Sequence, residues 1–477
     1  MSHNAALRAQ VSELTSAICR QRQLLQEMQT RLHNLQTQLD SIVYPILSLP
    51  PEITMEIFSR CFQPERDSVN ANEASLLLTH VCRAWRLLAL STPALWSTFC
   101  LSAVADIPHL SEIAQTWLQR TRNCPLSLKI DGPLPNVRIP QFGEFIEAFR
   151  LLSHRLRALE LHLGVFNLER IDTAAHPVQF PHLQTLSIRL LFNQDPLNHR
   201  GPIKMFDGAT LLREVLLEEV PPSVVELPWQ KITKFTGEQY SPKRCLEALR
   251  LMPQLIECAF AVLGDVPDNL GIFFHPRIQH LTLFESHSDL GTQAASMRIL
   301  EFLRLPALQA LRLHNVDGFD AEALNLFLLR SSPPLRKLSI RPLLNLTSSR
   351  AAPELSPAFA SLGLIDLEIW HTSRNFVPLF FDSLRRDATF LPRLQRLAFL
   401  GCGARYDGAS MGEVVRIGGA AIAARNTLDC ERLQSFRVLL ADREAVHSFP
   451  AEVLLLFKNL KASGMDLYIG STRESVI

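Results

Sequence analysis

A six-residue pattern, Leu-x-x-Leu-x-Leu in close variants, recurs eleven times between residues 156 and 438 and narrows the architectures open to this chain. The copies are LRALEL from Leu156, LQTLSI from Leu183, LREVLL from Leu212, ITKF from Ile232, LIECAF from Leu255 and IQHLTL from Ile278. They continue as LQALRL from Leu308, LRKLSI from Leu335, LIDLEI from Leu364, LQRLAF from Leu394 and LQSFRV from Leu433. Alternation of apolar and polar residues predicts a strand with one buried side. Successive copies start 20 to 39 residues apart, most of them 23 to 30. That spacing accommodates one strand and a returning helix or loop. Stretches such as CLEALRLM and ALNLFLLRSS supply the helices, and Pro in FPHLQ, LPALQ, PPLRK and LPRLQ stops each helix before the next strand. No single unit can bury its own apolar stripe, so neighbours must stack to join the stripes into one core.

Pattern and period resemble leucine-rich repeats, which implies an α/β fold: a leucine-rich-repeat-like solenoid with a parallel sheet over residues 101–477. The repeats are irregular, because the Asn that usually follows the strand is not in its place, although Asn315 comes near. A compact α/β domain with parallel strands is the alternative. In a solenoid, positions between and just after the buried leucines line the concave strand face and would meet a protein substrate. These are Glu160, His162, Arg189, Glu218, Phe284, Arg312, His314, Arg341, Glu368 and Trp370. Mixed charge with two aromatics suits a protein or peptide; the other reading is a solvated face with no dedicated ligand.

Residues 1–43 carry a heptad seam. Leu7, Val11, Leu14, Ile18, Gln21, Leu25, Met28, Leu32, Leu35, Leu39 and Ile42 alternate steps of four and three, and ten of the eleven are apolar. Such a stripe lies along one side of a helix and is buried when helices supercoil, with Gln21 fixing register. This predicts a coiled-coil helix and self-association; an amphipathic helix packed on its own domain is the alternative.

Residues 44–100 contain LSLPPEITMEIFSRCF, a polar insert QPERDSVNANEAS, and LLLTHVCRAWRLLALSTPALW. Pro51 suits a first helical position, where its missing N–H would be unpaired anyway. Ile53, Ile57 and Cys61 follow at i, i+4, i+8, and a second helix brings Leu77, Leu78, Val81, Trp85 and Leu88 to one face. About 50 residues are near the lower limit for an independent core. Some of these side chains therefore need cover from outside the segment.

The Leu-Pro-Pro-Glu start and the Val-Cys-Arg-Ala-Trp element resemble the F-box, with an insert longer than the compact form has. An F-box followed by irregular leucine-rich repeats resembles the F-box-like proteins expanded in mushroom-forming fungi. The resemblance implies a Skp-type adaptor, and through it a cullin scaffold. It assigns adaptor contacts to Leu49, Pro50, Ile53, Ile57 and Phe58, and to Val81, Cys82, Trp85 and Leu88, each of which could instead be intramolecular core. The implied function is the substrate-recognition subunit of a cullin-type (SCF) ubiquitin ligase, a non-enzymatic component that works by proximity. The alternative is a scaffold that self-associates through the coiled coil without a ligase.

Composition bears on the other classes. With 48 Lys+Arg against 47 Asp+Glu, no global field favours nucleic acid or an anionic membrane. Apolar runs such as Val453 to Phe457 are far short of the ~20 residues that span a bilayer, and the first 25 residues lack the apolar block of a signal peptide. Nine cysteines sit singly with no Cys-x-x-Cys, against a disulfide framework or a structural zinc site. The expected compartment is cytoplasm or nucleus, with no cofactor or metal. Gly408-Ala409-Ser410-Met411-Gly412, with Asp429 and His447 following, fits the serine-hydrolase elbow. Polar GCGARYD precedes it where a strand should run, and Ser410 with Glu413 also forms a capping-box pattern. Gly401-Cys402-Gly403 lacks the third glycine of a nucleotide loop, Asn345-Leu346-Thr347 is a sequon without use in the cytosol, and Ser475-Val476-Ile477 is a short, chance-level carboxylate-capture pattern.

Overall fold

The computed structural model describes residues 2–40, 45–61, 71–102, 109–132, 140–173, 178–190, 201–263, 270–284, 297–316, 321–342, 363–370, 376–402, 411–440 and 451–470. They form two compact units, one drawn from Met1–Ser97 and Arg120–Cys124, the other from Thr98–Gln119 and Pro125–Ile477.

The first unit begins with helix α1 (Ser2–Asp40). A 3-10 turn at Pro45–Ser48 precedes α2 (Pro51–Cys61), which Pro51 opens, with Glu52 in the first turn and Arg60 in the last to complement the helix dipole. Then come α3 (Ala71–Val81), α4 (Arg83–Ser91) and a 3-10 turn at Pro93–Trp96. The single second helix expected through Leu77 to Leu88 is in fact two. Cys82 is fully extended at φ −155°, ψ 169°, and its Sγ accepts from the Trp85 backbone N–H at 3.5 Å. An N-cap residue in extended conformation starts a new helix rather than continuing the old one. The last residues of the polar insert, from Ala71, form the first turn of α3.

The second unit is built on a fourteen-stranded sheet in which every described pairing is parallel. Its strands are β1 (Thr98–Ser102), β2 (Leu126–Asp131), β3 (Leu156–Leu163), β4 (Thr185–Leu190), β5 (Glu214–Glu218), β6 (Lys234–Tyr240) and β7 (Glu257–Val262), in chain order across the sheet. A two-residue β8 (Phe273–Phe274) sits apart, paired with β10 (Leu303–Arg304). The large sheet resumes with β9 (His280–Phe284), β11 (Ala310–Val316), β12 (Lys337–Pro342), β13 (Asp366–Trp370), β14 (Arg396–Cys402), β15 (Ser435–Leu440) and β16 (Asp466–Gly470). Between strands lie α5 (Leu110–Thr121), α6 (Pro140–Ser153), α7 (Val165–Asp172), α8 (Pro242–Leu251), α9 (Ala321–Ser331), α10 (Phe376–Arg386), α11 (Met411–Arg425) and α12 (Ala451–Ala462).

Register makes the core continuous. The fourth position of each motif forms one buried row: Phe99, Leu128, Leu159, Leu186, Val215, Phe235, Cys258, Leu281, Leu311, Leu338, Leu367, Leu397, Phe436 and Leu467. The sixth position makes a parallel buried row from Leu101 to Ile469, broken in type only at Gly237 on β6. A Cβ there would stand 3.0 Å from a Phe260 ring carbon and 3.1 Å from Phe235, so two phenyl rings fill the space a leucine would need. Ahead of each strand, backbone bonds run copy to copy, as from Gln309 N to Gln279 O (2.8 Å) and from Arg336 N to Gln309 O (2.8 Å). Each added strand thereby extends an existing hydrogen-bonded edge and an existing apolar row.

Candidate functional site

Two surfaces follow from this arrangement, one in each unit. In the first, the inner face of α2 is Thr54 and Phe58, both buried, with the Phe58 ring edge-on to Trp85 at 4.8 Å. Trp96 is fully buried; its Nε1 donates to the Ala89 carbonyl at 2.9 Å, and the Arg120 guanidinium lies 4.3 Å above the ring. Ser75 Oγ donates to Leu95 O at 2.6 Å, and Arg86 Nε to Thr79 O at 2.6 Å, so α3, α4 and the last turn are tied together. These bonds satisfy polar groups that burial would otherwise leave costly.

The expected adaptor residues divide. Phe58 is 2% exposed and belongs to the unit's own core, which corrects its assignment as a surface contact: helical period turns it inward with Thr54. Trp85 and Leu88 are half-buried, and Cys82 serves as the N-cap described above. Leu49, Pro50, Ile53 and Ile57 are exposed on or just before α2, Ile53 at 50%, and Val81 is 55% exposed on α3. Leu76 and Leu77 of α3 are also exposed, Leu77 at 64%. Leu77 had been expected to share a face with Leu78, yet Leu78 is buried and Leu77 is not. Neighbouring residues on a helix point about 100° apart, and a run of three leucines hides which one of them turns inward. Leu49, Ile53 and Ile57, spaced four apart on and just before α2, therefore form an open apolar stripe, and Leu77 and Val81, also four apart, form another on α3.

In the second unit all ten expected substrate-facing residues alternate with the buried rows and are half-exposed on the sheet's other face. They fall into two clusters. Across β2 to β6, Asp131, His162, Arg189, Glu218 and Glu238 are successive register partners. His162 Nδ1 lies 2.9 Å from Asp131, Lys129 Nζ 3.1 Å from Glu160, and Arg189 3.2 Å from Glu218 and 4.0 Å from Glu238. Burial pushes the Glu238 carboxyl above its ordinary value, Arg189 opposes this, and Glu218 adds to it.

Across β9 to β13, Phe284, His314 and Arg341 form one row, and Arg312, Ser339 and Glu368 the adjacent one. His314 Nε2 lies 3.2 Å from Ser339 Oγ, which donates to Glu368 Oε1 at 3.4 Å. Trp370 Nε1 donates to the same carboxylate oxygen, and the Arg341 guanidinium sits 4.6 Å above the Trp370 ring. Desolvation lowers the His314 pKa, with Glu368 opposing and Arg312 and Arg341 reinforcing. Serine stands between His and Glu here, so its proton points to the carboxylate and away from a base, the opposite of a nucleophile triad. Lys129, Asp131, Glu238 and Ser339, which complete both networks, were missing from the expected set. A polar residue between two leucines marks the position, but only cross-strand register says which neighbour it meets.

Ser410, His447, Asn345, Leu346, Thr347, Ser475, Val476 and Ile477 lie outside the described residues, and Asp429 is exposed just after α11. Among the described residues there is no group of three or more His, Cys, Asp or Glu able to hold a metal, and no helix long and apolar enough to cross a membrane.

Residues 46–102 match the F-box-like family, the span that carries the open stripe. Comparison with curated proteins finds no match to the chain.

Proposed function

We propose that this protein is the substrate-recognition subunit of a cullin-type (SCF) ubiquitin ligase. F-box domains typically bind Skp-type adaptors, and the observation carrying the proposal is the apolar stripe Leu49, Ile53 and Ile57, exposed inside the F-box-like span. A few side chains clustered in a well-packed, desolvated patch carry most of the energy of an interface. Val81 and Leu77 extend this surface, Trp85 and Leu88 contribute their exposed edges, and Pro50 shapes its start. Phe58 and Cys82 support it from within. The adaptor links the chain to a cullin scaffold in the cytoplasm or nucleus.

The parallel-sheet unit is a leucine-rich-repeat-like solenoid whose polar face takes a protein substrate. The β2–β6 cluster, richer in carboxylates, suits a basic stretch of that substrate; Arg312 and Arg341 with Trp370 suit an acidic or aromatic one. The chain supplies no nucleophile. It holds a substrate lysine near the charged conjugating enzyme and so raises effective concentration.

The test is co-purification with a Skp-type adaptor. Ile53→Asp and Ile57→Asp each place a carboxylate on an exposed helical position, so circular dichroism should stay unchanged while adaptor affinity falls at least about tenfold. Full-strength binding by both variants would remove the adaptor surface, and with it the ligase reading.

A further inference from the structure

We infer that α1 forms a parallel, in-register two-stranded coiled coil with a second copy of this chain. Every described side chain from Leu7 to Leu39 is exposed except Ala17, which is intermediate. Ten large apolar residues on the helix are among them, Val11 and Leu14 each at 63%. A 39-residue helix is about 58 Å long. Isolated in water it would display an apolar stripe over more than four heptads, interrupted at Gln21, an arrangement that persists only when the stripe is covered.

Identity of the cover follows from the residues in and beside the seam. With Leu7 at d, the a positions are Val11, Ile18, Leu25, Leu32 and Leu39, and the d positions Leu7, Leu14, Gln21, Met28 and Leu35. The stripe is narrow, two residues in seven, which fits a partner helix better than a membrane interface, where a wider apolar face is needed. β-Branched a residues with leucine at d favour two strands; Val11 and Ile18 with Leu7 and Leu14 supply that pattern in the first heptads, and leucine holds the later a positions.

Orientation is set by the flanks and by one polar core residue. The e and g positions hold Arg8, Arg22 and Arg31 and no acid. In a parallel pair, g residues meet the e residues five further on: Gln10 with Thr15, Ala17 with Arg22, Leu24 with Gln29, Arg31 with Gln36. None is a like-charge pair. Gln21 meets Gln21 of the second copy, where two amides can exchange hydrogen bonds. The antiparallel register that pairs Leu7 with Leu39 instead sets Arg22 against Arg22 and buries Gln21 opposite Leu25. Repulsion and an unsatisfied buried amide both disfavour it. The hydroxyls of Thr15, Thr30 and Thr37 bond back to carbonyls four residues earlier, so they ask nothing of the partner. Resting on the proposed function, this pairing starts both F-box-like spans from one end of the coil, giving a receptor with two adaptor sites and two substrate faces.

The experiment uses the full-length chain. Light scattering at tens of micromolar should give the mass of two copies, and Leu14→Asp with Leu25→Asp the mass of one. Orientation is read by disulfide trapping on a Cys19→Ser background, since Cys19 is exposed at an outer heptad position. Val11→Cys should cross-link to itself on oxidation beyond the background, and a mixture of Val11→Cys with Leu35→Cys should yield no mixed dimer. A monomer, three or more copies, or mixed cross-links alone would overturn the inference. Mass and cross-links are read without the adaptor, so failure here leaves the adaptor surface standing, and failure there leaves the coil.

Discussion

His275 shows how a single buried residue in this chain ties folding to pH. It is 3% exposed; its Nε2 lies 3.1 Å from the Met252 carbonyl, and its Nδ1 accepts from the Arg277 backbone N–H at 3.3 Å. One nitrogen donates and the other accepts, which only the neutral ring can do. Desolvation lowers its pKa, the Met252 carbonyl opposes, and Arg277 reinforces. The folded chain therefore takes up this proton less readily than the unfolded chain. Stability is complete above the ordinary histidine value of about 6.5 and falls as pH drops below it. His314 has the same sign. We expect the urea midpoint to fall between pH 7.5 and pH 5.5. His275→Gln should be less stable at pH 7.5 by about 1–3 kcal/mol, from the strained replacement bonds, yet show a flatter pH dependence. An equal slope in variant and parent would remove His275 as its source.

Helix α11 illustrates the element scale, because its glycines go against helix propensity. A Cβ on Gly418 would stand 2.9 Å from Phe381 and 3.1 Å from Phe436; one on Gly419 would stand 2.9 Å from Phe457. These rings cannot easily retreat: Phe381 packs on Phe380 at 5.5 Å and Phe399 at 5.3 Å, and Phe436 stacks on Phe457 at 6.0 Å. Alanine gains about 1 kcal/mol of helix propensity, against about 1–3 kcal/mol for overpacking. The balance favours glycine, so Gly418→Ala should lose up to about 2 kcal/mol in urea unfolding with the m-value unchanged. A stabilised variant would mean that the rings do yield. The same scale shows what the sequence could reveal. All eleven motif copies coincide with strands, β3 to β7, β9 and β11 to β15, because each strand repeats one local alternation. Strands β1, β2 and β16 escaped the pattern because Trp96, Pro125 and Gly464 stand where its first leucine would be. The break at Cys82 escaped as well, since a thiol is an uncommon cap and apolar spacing continues across it. At the F-box-like span the sequence located the segment, but Phe58 and Ile57 differ only in which way the helix turns them.

For the whole molecule the governing fact is that each large-sheet strand pairs only with its immediate neighbours, nearly always the next in sequence. Stability in such an array is close to a sum of strand contributions and neighbour interfaces. A lesion in the middle and one at the end should then have different reach, even when the side chain lost is the same. Leu311 on β11 is fully buried with strands on both sides, β9 and β12; Leu467 lies on β16, which among the described residues is the last strand of the sheet and pairs with β15 alone. Truncation at Leu311 leaves a cavity that neither neighbour can close, so Leu311→Ala should cost about 2–5 kcal/mol. At the edge, β16 can shift or fray, so Leu467→Ala should cost about half as much. Hydrogen exchange separates the two outcomes. Leu467→Ala should speed exchange in β16 and its bonded partner β15 alone, whereas Leu311→Ala should do so on both sides of β11 and lower the melting temperature further. Equal spread from both sites would mean that the sheet opens only as one cooperative body. Neighbour-wise stability would then be wrong for this chain, and the sheet's polar face would respond to change as a whole rather than strand by strand.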